Sequence, residues 1–316
     1  MNFHFHDYQP TLEDLHSAVV NGLKQSPKQL HPKFFYDEEG SRIFDQICNQ
    51  PEYYVPDVER HIFETYVDEM LACLGQDCCI IEPGAGSCKK IRFILDRMQP
   101  AMYVPMDISA EHLSLSAQKL AEDYPHLLIH AVCVDHAKAF ELPAQIPSHK
   151  RVFFYPGSSL GNFHPDEAIR FLQDLREKAG EDGSLLLGMD TKKPEDVLNR
   201  AYNDAAGVTA AFNLNLLKRI QTELDAEIDV DGFYHHAFYN AAQGRIEMHL
   251  FSHKEQTLRV NGDTFHFKAG ESIHTENSYK YTADEFRALA WEAGWQGKKV
   301  WQDGRKYFSV HFLKAR

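Results

Sequence analysis

Apolar and polar positions follow two different rhythms along this chain. Between residues 79 and 189, short continuous apolar runs alternate with stretches whose apolar residues are three or four positions apart. The continuous runs predict strands buried on both faces, and the spaced residues predict the helices that connect them. Together they predict an α/β fold with a doubly wound, mostly parallel sheet. The predicted strands lie near residues 79–82, 102–106, 127–132, 152–155 and 185–189, and the predicted helices near residues 88–98, 110–123 and 165–178.

The regular alternation ends near residue 193. Residues 194–224 have largely helical spacing, and strand-like runs follow at residues 233–240, 246–252, 258–260 and 264–267. Gly244 and Asn261-Gly262 are turn signals that favour an antiparallel meander. Because a meander has no place in a doubly wound sheet, we expect a second α+β domain inserted into the first.

The turn after the first strand of the predicted sheet contains Glu82-Pro83-Gly84-Ala85-Gly86. Both glycines can adopt positive φ and let the backbone approach a ligand, and the helix behind them offers unpaired N–H groups. Gly-x-Gly also occurs in ordinary turns, and position 89 is Lys rather than the third glycine of a dinucleotide-binding loop. With Glu82 in the turn, the stretch resembles the Glu/Asp-x-Gly-x-Gly loop of S-adenosylmethionine-dependent methyltransferases.

Polar residues stand at the ends of the next three predicted strands. Asp107 follows the second strand, where a carboxylate can accept hydrogen bonds from ribose hydroxyls, and Asp135 follows the third, where it can accept one from an adenine amino group. The turn at residues 157–162 brings the Asn162 amide to the same edge. Each acid alone is equally well explained as a helix cap or a solvated loop residue. Their succession beside Gly-x-Gly favours a cofactor site.

The first sheet is expected to be completed near the C-terminus. Thr282 and Glu285 have the spacing of a capping box before a helical run, and residues 299–301 and 307–313 predict a hairpin. A terminal antiparallel hairpin that completes a seven-stranded sheet favours the class I methyltransferase fold over the dehydrogenase fold. The predicted methyltransferase domain comprises residues 58–192 and 282–316, and the predicted substrate domain comprises residues 1–57 and 193–281.

The N-terminal region is predicted to begin loosely, with His4 and His6 in a mobile terminus. Thr11 is a candidate N-cap for a helix whose apolar face includes Leu12 and Leu15. Aromatic loops follow at residues 34–41 and 51–56. These loops have two interpretations, a lid or wall for a substrate and ordinary packing.

Composition and charge narrow the possible partners. The 316 residues are 43% hydrophobic and 25% charged, as in ordinary globular proteins. The net charge of −13, without a Lys/Arg run, argues against nucleic acid and favours a small-molecule substrate. No run approaches the ~20 apolar residues of a membrane span, and the start lacks a signal-peptide pattern, so we expect a cytoplasmic protein. The six cysteines lack C-x-x-C spacing and the eighteen histidines give no complete ligand set, so we expect no metal site.

Longer motifs extend the resemblance over nearly the whole chain. In them the sequence resembles the ergothioneine-pathway histidine Nα-methyltransferases, and the matches fall in both predicted domains. They lie at residues 32–37, 40–41, 44–47, 51–54, 82–86, 157–158, 161–162, 201–213, 245–248 and 276–280, the last being Glu276-Asn277-Ser278-Tyr279-Lys280.

The resemblance implies a specific reaction. Three methyl groups pass in succession from S-adenosylmethionine to the α-amine of L-histidine, which yields the trimethyl betaine hercynine and S-adenosylhomocysteine in the first step of ergothioneine biosynthesis. The implied substrate contacts are Tyr53, Asn162 and Tyr202 at the amino-acid end of histidine, and Glu276, Ser278 and Met248 around its imidazole ring.

The same resemblance implies the cofactor contacts Tyr36, Gly84, Lys90, Asp107 and Asp135. Lys90 is expected to bind the methionine carboxylate and Asp107 the ribose. Tyr36 is expected near the transferring methyl group. No dedicated strong base is evident, so we predict that catalysis rests on positioning of the amine by Tyr36 and Asn162.

Two departures from the family pattern stand out. Val55-Pro56-Asp57-Val58-Glu59 replaces the usual Pro-Thr-Arg-Thr-Glu, and Asp135-His136 stands where the family tends to have Asp-Phe. A backbone contact to adenine would survive the second change, so His136 is also a candidate cofactor contact, with altered ring packing.

Three alternatives stay open at this point. The chain is also compatible with a methyltransferase for another amino acid or amine, although a pocket for an indole or phenol has no use for an acid at Glu276. A non-catalytic S-adenosylmethionine-binding module is a second alternative, and a nicotinamide dehydrogenase is a third. We expect a monomer.

Overall fold

The structure, a computed structural model, describes residues 2–9, 14–138 and 140–316. These residues form two compact units. Unit 1 contains residues 2–9, Asp57–Thr191 and Tyr281–Arg316, and unit 2 contains residues 14–56 and Lys192–Lys280. The predicted helix cap Thr11 and its neighbour Leu12 lie outside the described residues.

Strands and α-helices account for most of the described chain. The strands are β1 (Phe3–Asp7), β2 (Lys28–Gln29), β3 (Cys79–Pro83), β4 (Met102–Asp107), β5 (Leu128–Cys133), β6 (Arg151–Tyr155), β7 (Ser184–Asp190), β8 (Phe233–Asn240), β9 (Arg245–Ser252), β10 (Gln256–Val260), β11 (Asp263–Phe267), β12 (Ser272–Tyr279), β13 (Trp295–Gln302) and β14 (Phe308–Ala315). The helices are α1 (Leu15–Leu23), α2 (Glu38–Ile47), α3 (Val55–Leu74), α4 (Arg92–Leu95), α5 (Ala110–Asp123), α6 (Pro165–Ala179), α7 (Glu195–Ala201), α8 (Val208–Glu223) and α9 (Ala283–Glu292).

Unit 1 is built on a sheet with the strand order β1-β5-β4-β3-β6-β7-β14-β13. The first six strands in this order, β1-β5-β4-β3-β6-β7, pair in parallel, and β14 pairs antiparallel with both β7 and β13. Strands β3 and β7 are buried along their whole length, as their continuous apolar runs predict. The predicted α/β class, with a doubly wound parallel sheet and a C-terminal antiparallel hairpin, is confirmed.

The sheet has eight strands rather than the predicted seven, because the terminus is ordered. Strand β1 pairs in parallel with β5, from Phe3 opposite Ile129 to Asp7 opposite Cys133. The Asn2 amide anchors this strand by donating hydrogen bonds to three main-chain carbonyl groups. The expectation of a loose terminus was therefore wrong, and residues 2–9 belong to unit 1 rather than with residues 14–56. A short strand with mixed polar side chains adds to the sheet because β5 offers an unpaired edge.

The helix after the Gly-x-Gly turn is much shorter than predicted. Residues 88–98 have helical spacing, yet α4 covers only Arg92–Leu95. Cys88 has φ +51°, which is incompatible with an α-helix, and its N–H donates to the Ala85 carbonyl in a turn. The spaced apolar residues of this segment are therefore buried in a turn and not along a regular helix.

Unit 2 contains two separate sheets instead of one meander. The larger has the order β2-β12-β9-β8, and β10 and β11 form a two-stranded ribbon. The run from Ser272 to Tyr279 was not predicted as part of the meander, and it takes the position beside β9. The core of unit 2 is formed by this sheet with α1, α2 and α8, while unit 1 has its own core around the parallel strands. No helix within the described ranges has the length and apolarity needed to cross a membrane.

Candidate functional site

The edge of unit 1 at the end of β3 contains the first group of candidate residues. Gly84 is exposed with φ +69°, and Gly86 has φ +50°, conformations that glycine adopts without strain. The Gly86 N–H donates to Asp107 Oδ2 at 2.9 Å, and the Ser109 N–H donates to Asp107 Oδ1 at 3.1 Å. Asp107 therefore positions the glycine turn and, being half-buried, still presents its carboxylate at the strand end.

Glu82 stabilises this turn from inside the sheet. Its carboxyl group is buried and accepts a hydrogen bond from the Tyr103 hydroxyl at 2.5 Å. Burial raises the pKa of Glu82 from 4.5 to about 8, although the hydrogen bond from Tyr103 opposes that shift. Glu82 is thus a structural acid under the turn.

The adenine-side candidates lie next to Gly84. Asp135 accepts a hydrogen bond from the Ala137 N–H at 3.2 Å, and its Oδ2 lies 3.3 Å from the Lys138 ammonium. The His136 ring is so close to Gly84 that a Cβ added there would be 3.3 Å from its Cε1. Burial lowers the pKa of His136, so the ring is neutral at physiological pH.

The surroundings of His136 fit a nucleoside. Its Nδ1 is buried and has no hydrogen-bond partner among the described residues. An orphaned ring nitrogen beside an exposed glycine is a position where a ligand N–H or hydroxyl can bind. The residues at this edge therefore fit the adenosine part of S-adenosylmethionine.

Lys90 has a protein partner that the sequence did not predict. Its ammonium lies 2.6 Å from Glu59 Oε2, and Glu59 Oε1 accepts a hydrogen bond from the Gly157 N–H at 2.7 Å. Glu59 is buried, whereas the Lys90 side chain is 38% exposed and retains room for a ligand carboxylate. Glu59 could have been found in the sequence, because it is an acid within the apolar stripe of α3 that includes Val55 and Ile62.

Asn162 ends a short 3₁₀ turn, Ser159–Asn162, after β6. The turn starts at Ser158, whose φ of +67° redirects the chain, and the Ser158 hydroxyl accepts a hydrogen bond from the Asp190 N–H at 2.9 Å. The Asn162 side chain is half-buried, and its amide forms no hydrogen bond with any described residue. Its donors and acceptor are available to a ligand.

The substrate-side candidates of unit 2 lie on neighbouring strands. Glu276 on β12 is directly opposite Met248 on β9, and Ser278 is opposite Ile246. The three proposed imidazole contacts therefore share one region of the sheet. Burial raises the pKa of Glu276 from 4.5 to about 7, with the nearby Lys280 opposing the shift. Among the described residues, no group hydrogen-bonds the Glu276 carboxylate.

Ser278 belongs to a buried polar group with Tyr202 and Lys280. The Tyr202 hydroxyl donates to Ser278 Oγ at 2.9 Å, and the Lys280 ammonium lies 2.8 Å from Ser278 Oγ and 3.1 Å from the Tyr202 oxygen. Lys280 is 1% exposed. Lys280 ends the sequence motif at residues 276–280, and its burial was not predicted although positions 276, 278 and 280 alternate onto one face.

The aromatic candidates of unit 2 differ in exposure. Tyr53 packs edge-on against Tyr202 with ring centroids 6.0 Å apart, and burial raises its pKa well above the ordinary value. Tyr36 is 45% exposed and packs edge-on against Phe44 and Phe212. The structure thus groups Tyr53, Tyr202, Ser278 and Glu276 within unit 2. It gives Tyr36 to unit 2 and Asn162 to unit 1, so the two proposed amine-positioning residues belong to different units.

One set of candidate metal ligands occurs in the described part of the chain. Glu247, His249 and His274 each have a ligand atom within 4.8 Å of the other two. Glu247 Oε1 already accepts hydrogen bonds from Arg245 Nε at 2.8 Å and from the Asn240 amide at 3.0 Å, and its Oε2 lies 3.1 Å from His249 Nε2. These contacts neutralise the carboxylate without a metal ion, and the absence of a metal site stays a prediction.

Comparison with known proteins decides the family. Residues 15–315 match the model of the histidine-specific, S-adenosylmethionine-dependent methyltransferases. The chain belongs to this family. The protein is therefore an S-adenosylmethionine-dependent methyltransferase, and the resemblance stated from its motifs is confirmed.

Two relatives within the histidine-specific methyltransferase family are similar over nearly their full length. A histidine N-alpha-methyltransferase of Mycolicibacterium smegmatis is 39% identical over 298 residues, which cover 92% of each chain. A histidine N-alpha-methyltransferase of Mycobacterium tuberculosis is 38% identical over 296 residues, which cover 92% of this chain and 91% of the other. The ergothioneine biosynthesis protein 1 of Neurospora crassa is 27% identical, and the match covers 92% of this chain and 33% of that protein.

Proposed function

We propose that this protein transfers three methyl groups in succession from S-adenosylmethionine to the α-amine of L-histidine, which gives hercynine and S-adenosylhomocysteine. The observation that carries the proposal is the buried carboxyl of Glu276, which no described group hydrogen-bonds, beside Ser278 and Met248. A buried carboxyl without a protein partner favours a ligand with a positive charge or an N–H group. The imidazole of histidine supplies that group.

Unit 1 is the proposed cofactor-binding unit. S-adenosylmethionine, when bound, supplies a methyl group that is activated by the positive sulfonium. Gly84 and the unpartnered Nδ1 of His136 support the assignment of the adenosine end to this edge, together with Asp135. Asp107 would bind the ribose hydroxyls. Lys90, held in place by its ion pair, would bind the methionine carboxylate.

Unit 2 is the proposed substrate-binding unit. Glu276 and Ser278 would hold the two ring nitrogens of histidine, and Met248 would contact the ring. The Tyr53 hydroxyl can donate to the substrate carboxylate, and Tyr202 would contact the same end of the substrate. From the family resemblance, Asn162 is also proposed to bind the amino-acid end of the substrate through its amide.

The reaction is a displacement in which the amine nitrogen bonds to the methyl carbon as the carbon–sulfur bond breaks. The pKa of a peptide α-amine is about 8 and that of a free amino acid is higher, so the histidine amine is largely protonated at neutral pH, and burial beside the positive sulfonium would increase the unprotonated fraction. The chain then needs to supply alignment rather than a strong base. Tyr36 and Asn162 are the proposed positioning groups.

The first test is mass spectrometry of the purified protein with S-adenosylmethionine and each of the twenty amino acids in turn. We expect histidine alone to gain three methyl groups. Glu276→Gln should lower kcat/KM for histidine by roughly 10- to 100-fold, because a hydrogen bond to a charged group is lost. Glu271→Gln is the matched control, since Glu271 is a partly exposed acid just before β12 that pairs with Lys28.

The other results would separate the alternatives. If another amine gains methyl groups while histidine does not, the protein is an N-methyltransferase with a different substrate. If no amino acid is methylated although S-adenosylmethionine binds, the proposed substrate is wrong. A monomeric state and a cytoplasmic location stay predictions from sequence.

A further inference from the structure

Glu59 is a buried acid of α3 that contacts two separate segments of unit 1. Its side chain is 3% exposed, and Oε2 lies 2.6 Å from the Lys90 ammonium. Its Oε1 accepts a hydrogen bond from the Gly157 N–H at 2.7 Å. Taking a carboxylate out of water is costly unless its oxygens find other partners. The fold supplies one partner before α4 and one after β6, so each oxygen of Glu59 is satisfied.

Two glycines leave room for this arrangement. A Cβ at Gly188 would lie 2.5 Å from Glu59 Oε1, and a Cβ at Gly157 would lie 2.6 Å from the Lys90 nitrogen. A larger residue at either position would displace the carboxylate or the ammonium. The ion pair therefore lies directly against the main chain of unit 1 at two places, which limits the positions that its side chains can take.

Lys90 is the member of the pair that a ligand can reach. Its side chain is 38% exposed, whereas Glu59 is enclosed. The ammonium has three N–H donors, of which Glu59 accepts one, and the described residues supply no acceptor for the other two. An unrestrained lysine samples many rotamers and loses that freedom when it binds a ligand. A lysine that an ion pair already holds has less freedom to lose.

We propose that Glu59 is a positioning residue that holds the Lys90 ammonium in place for the carboxylate at the methionine end of S-adenosylmethionine. This inference rests on the proposed function, which assigns Lys90 to that carboxylate. Lys90 makes the contact with the ligand, and Glu59 sets the direction of Lys90. Recognition of the carboxylate thus depends on a buried acid as well as on the exposed lysine.

Glu59 also has an effect that opposes this one. Its negative charge weakens the attraction between Lys90 and a ligand carboxylate, so removal of the charge alone would tighten binding. Lys90 is partly exposed, and solvent screens the charges around it. Loss of the ion pair, in contrast, releases the whole lysine side chain. We therefore expect positioning to be the larger effect.

The variant Glu59→Gln removes this support while the side chain keeps its size. A carboxylate accepts hydrogen bonds with both oxygens, whereas an amide has one accepting oxygen and one donating nitrogen. The glutamine can satisfy Lys90 or the Gly157 N–H, but not both. An amide oxygen also binds an ammonium less strongly than a carboxylate does. Lys90 is thus held less firmly in either orientation of the amide.

Titration calorimetry with three ligands tests the proposal. S-adenosylhomocysteine has the carboxylate, its decarboxylated analogue keeps only the amine, and 5′-methylthioadenosine lacks the whole amino-acid end. We expect the wild-type protein to bind S-adenosylhomocysteine on the order of tenfold more tightly than the decarboxylated analogue. In Glu59→Gln the affinity for S-adenosylhomocysteine should fall by about tenfold, and the affinities for the other two ligands should change by less than about twofold.

Two results would overturn the role of Glu59. An equal loss of affinity for all three ligands would show that Glu59 only maintains the structure of unit 1. Tighter binding of S-adenosylhomocysteine by Glu59→Gln would show that the charge of Glu59 outweighs its positioning effect.

Glu69→Gln is the matched control. Glu69 is on the same helix, and its carboxylate likewise accepts from a lysine and an N–H group, the Lys299 ammonium and Trp301 Nε1–H, the latter at 3.1 Å. This variant should bind all three ligands as the wild-type protein does.

Glu59→Asp provides a second measurement should Glu59→Gln not fold. The aspartate keeps the negative charge, but its side chain is one methylene shorter and cannot hold both partners in place. We expect the preference for S-adenosylhomocysteine over the decarboxylated analogue to shrink here as well. An unchanged preference would contradict the positioning role.

Failures of the two proposals are distinguishable. If the wild-type protein does not methylate histidine, the proposed function fails, and the binding measurements still test Glu59. If the wild-type protein binds S-adenosylhomocysteine and the decarboxylated analogue equally, the assignment of Lys90 to the carboxylate fails, and the role of Glu59 fails with it. If the wild-type protein prefers S-adenosylhomocysteine and Glu59→Gln keeps that preference, only the role of Glu59 fails.

Discussion

Glu276 combines a proposed binding role with a measurable effect on stability. Burial raises its pKa from 4.5 to about 7, so the folded protein retains this proton to a higher pH than the unfolded chain does. The unfolded chain then binds fewer protons between these values, and the free energy of unfolding falls as the pH rises through that window. Across the whole window the free energy of unfolding falls by about 3 kcal/mol.

Replacing the acid by its neutral isostere is expected to remove this loss of stability. As the pH rises from about 5 to about 8, the free energy of unfolding of Glu276→Gln should come to exceed that of the wild-type protein by up to ~3 kcal/mol, as measured by denaturant unfolding. Histidine methylation by the variant should fall. Glu82, whose pKa burial raises to about 8, contributes equally to both proteins and cancels in the difference. A difference that does not vary with pH would show that the carboxyl titrates normally.

At the scale of elements, the turn after β3 depends on the close approach of Gly84 to the loop after β5. A methyl group at Gly84, whose φ is +69°, would lie 3.3 Å from the His136 ring. Gly84→Ala is expected to weaken S-adenosylhomocysteine binding by on the order of tenfold, measured by titration calorimetry, because the proposed adenosine contact moves.

Gly75→Ala provides the matched control for this change. Gly75 has φ +76°, a similar backbone conformation, yet a Cβ there would meet nothing within 4 Å. Both variants should lose a similar amount of stability, about 1 kcal/mol, from the backbone alone. Equal weakening of ligand binding in the two variants would mean that strain, and not contact with His136, is responsible.

At the scale of the whole molecule, each unit has its own core, and the chain passes from one unit to the other between residues 9 and 14 and again after Pro56, Thr191 and Lys280. Ligand binding should therefore be visible separately in the two units. With hydrogen exchange, we expect S-adenosylhomocysteine to protect backbone amides around Gly84 and Asp107, and L-histidine to add protection in β9 and β12. Protection by L-histidine confined to unit 1 would contradict the assignment of Glu276 to the substrate.

Local signals determined a large part of this protein. Continuous apolar runs, the Gly-x-Gly turn and the capping box of Thr282 and Glu285 act within a few residues, and the structure has each of them. The acids at the strand ends were expected at one edge of the sheet, because parallel pairing brings the carboxyl ends of the strands together. The resemblance of its longer motifs likewise identified the histidine-specific family.

Tertiary structure alone decided which elements pair and which buried charges meet. Strand β1 joins β5, and the four predicted strands of unit 2 divide between two sheets. Hydrophobic periodicity indicates that one face of a segment is buried, but it does not identify the segment that covers that face. Lys90 meets Glu59, 31 residues away, and Lys280 meets Tyr202, 78 residues away. Such contacts depend on how distant segments pack, so no local pattern in the sequence contains them.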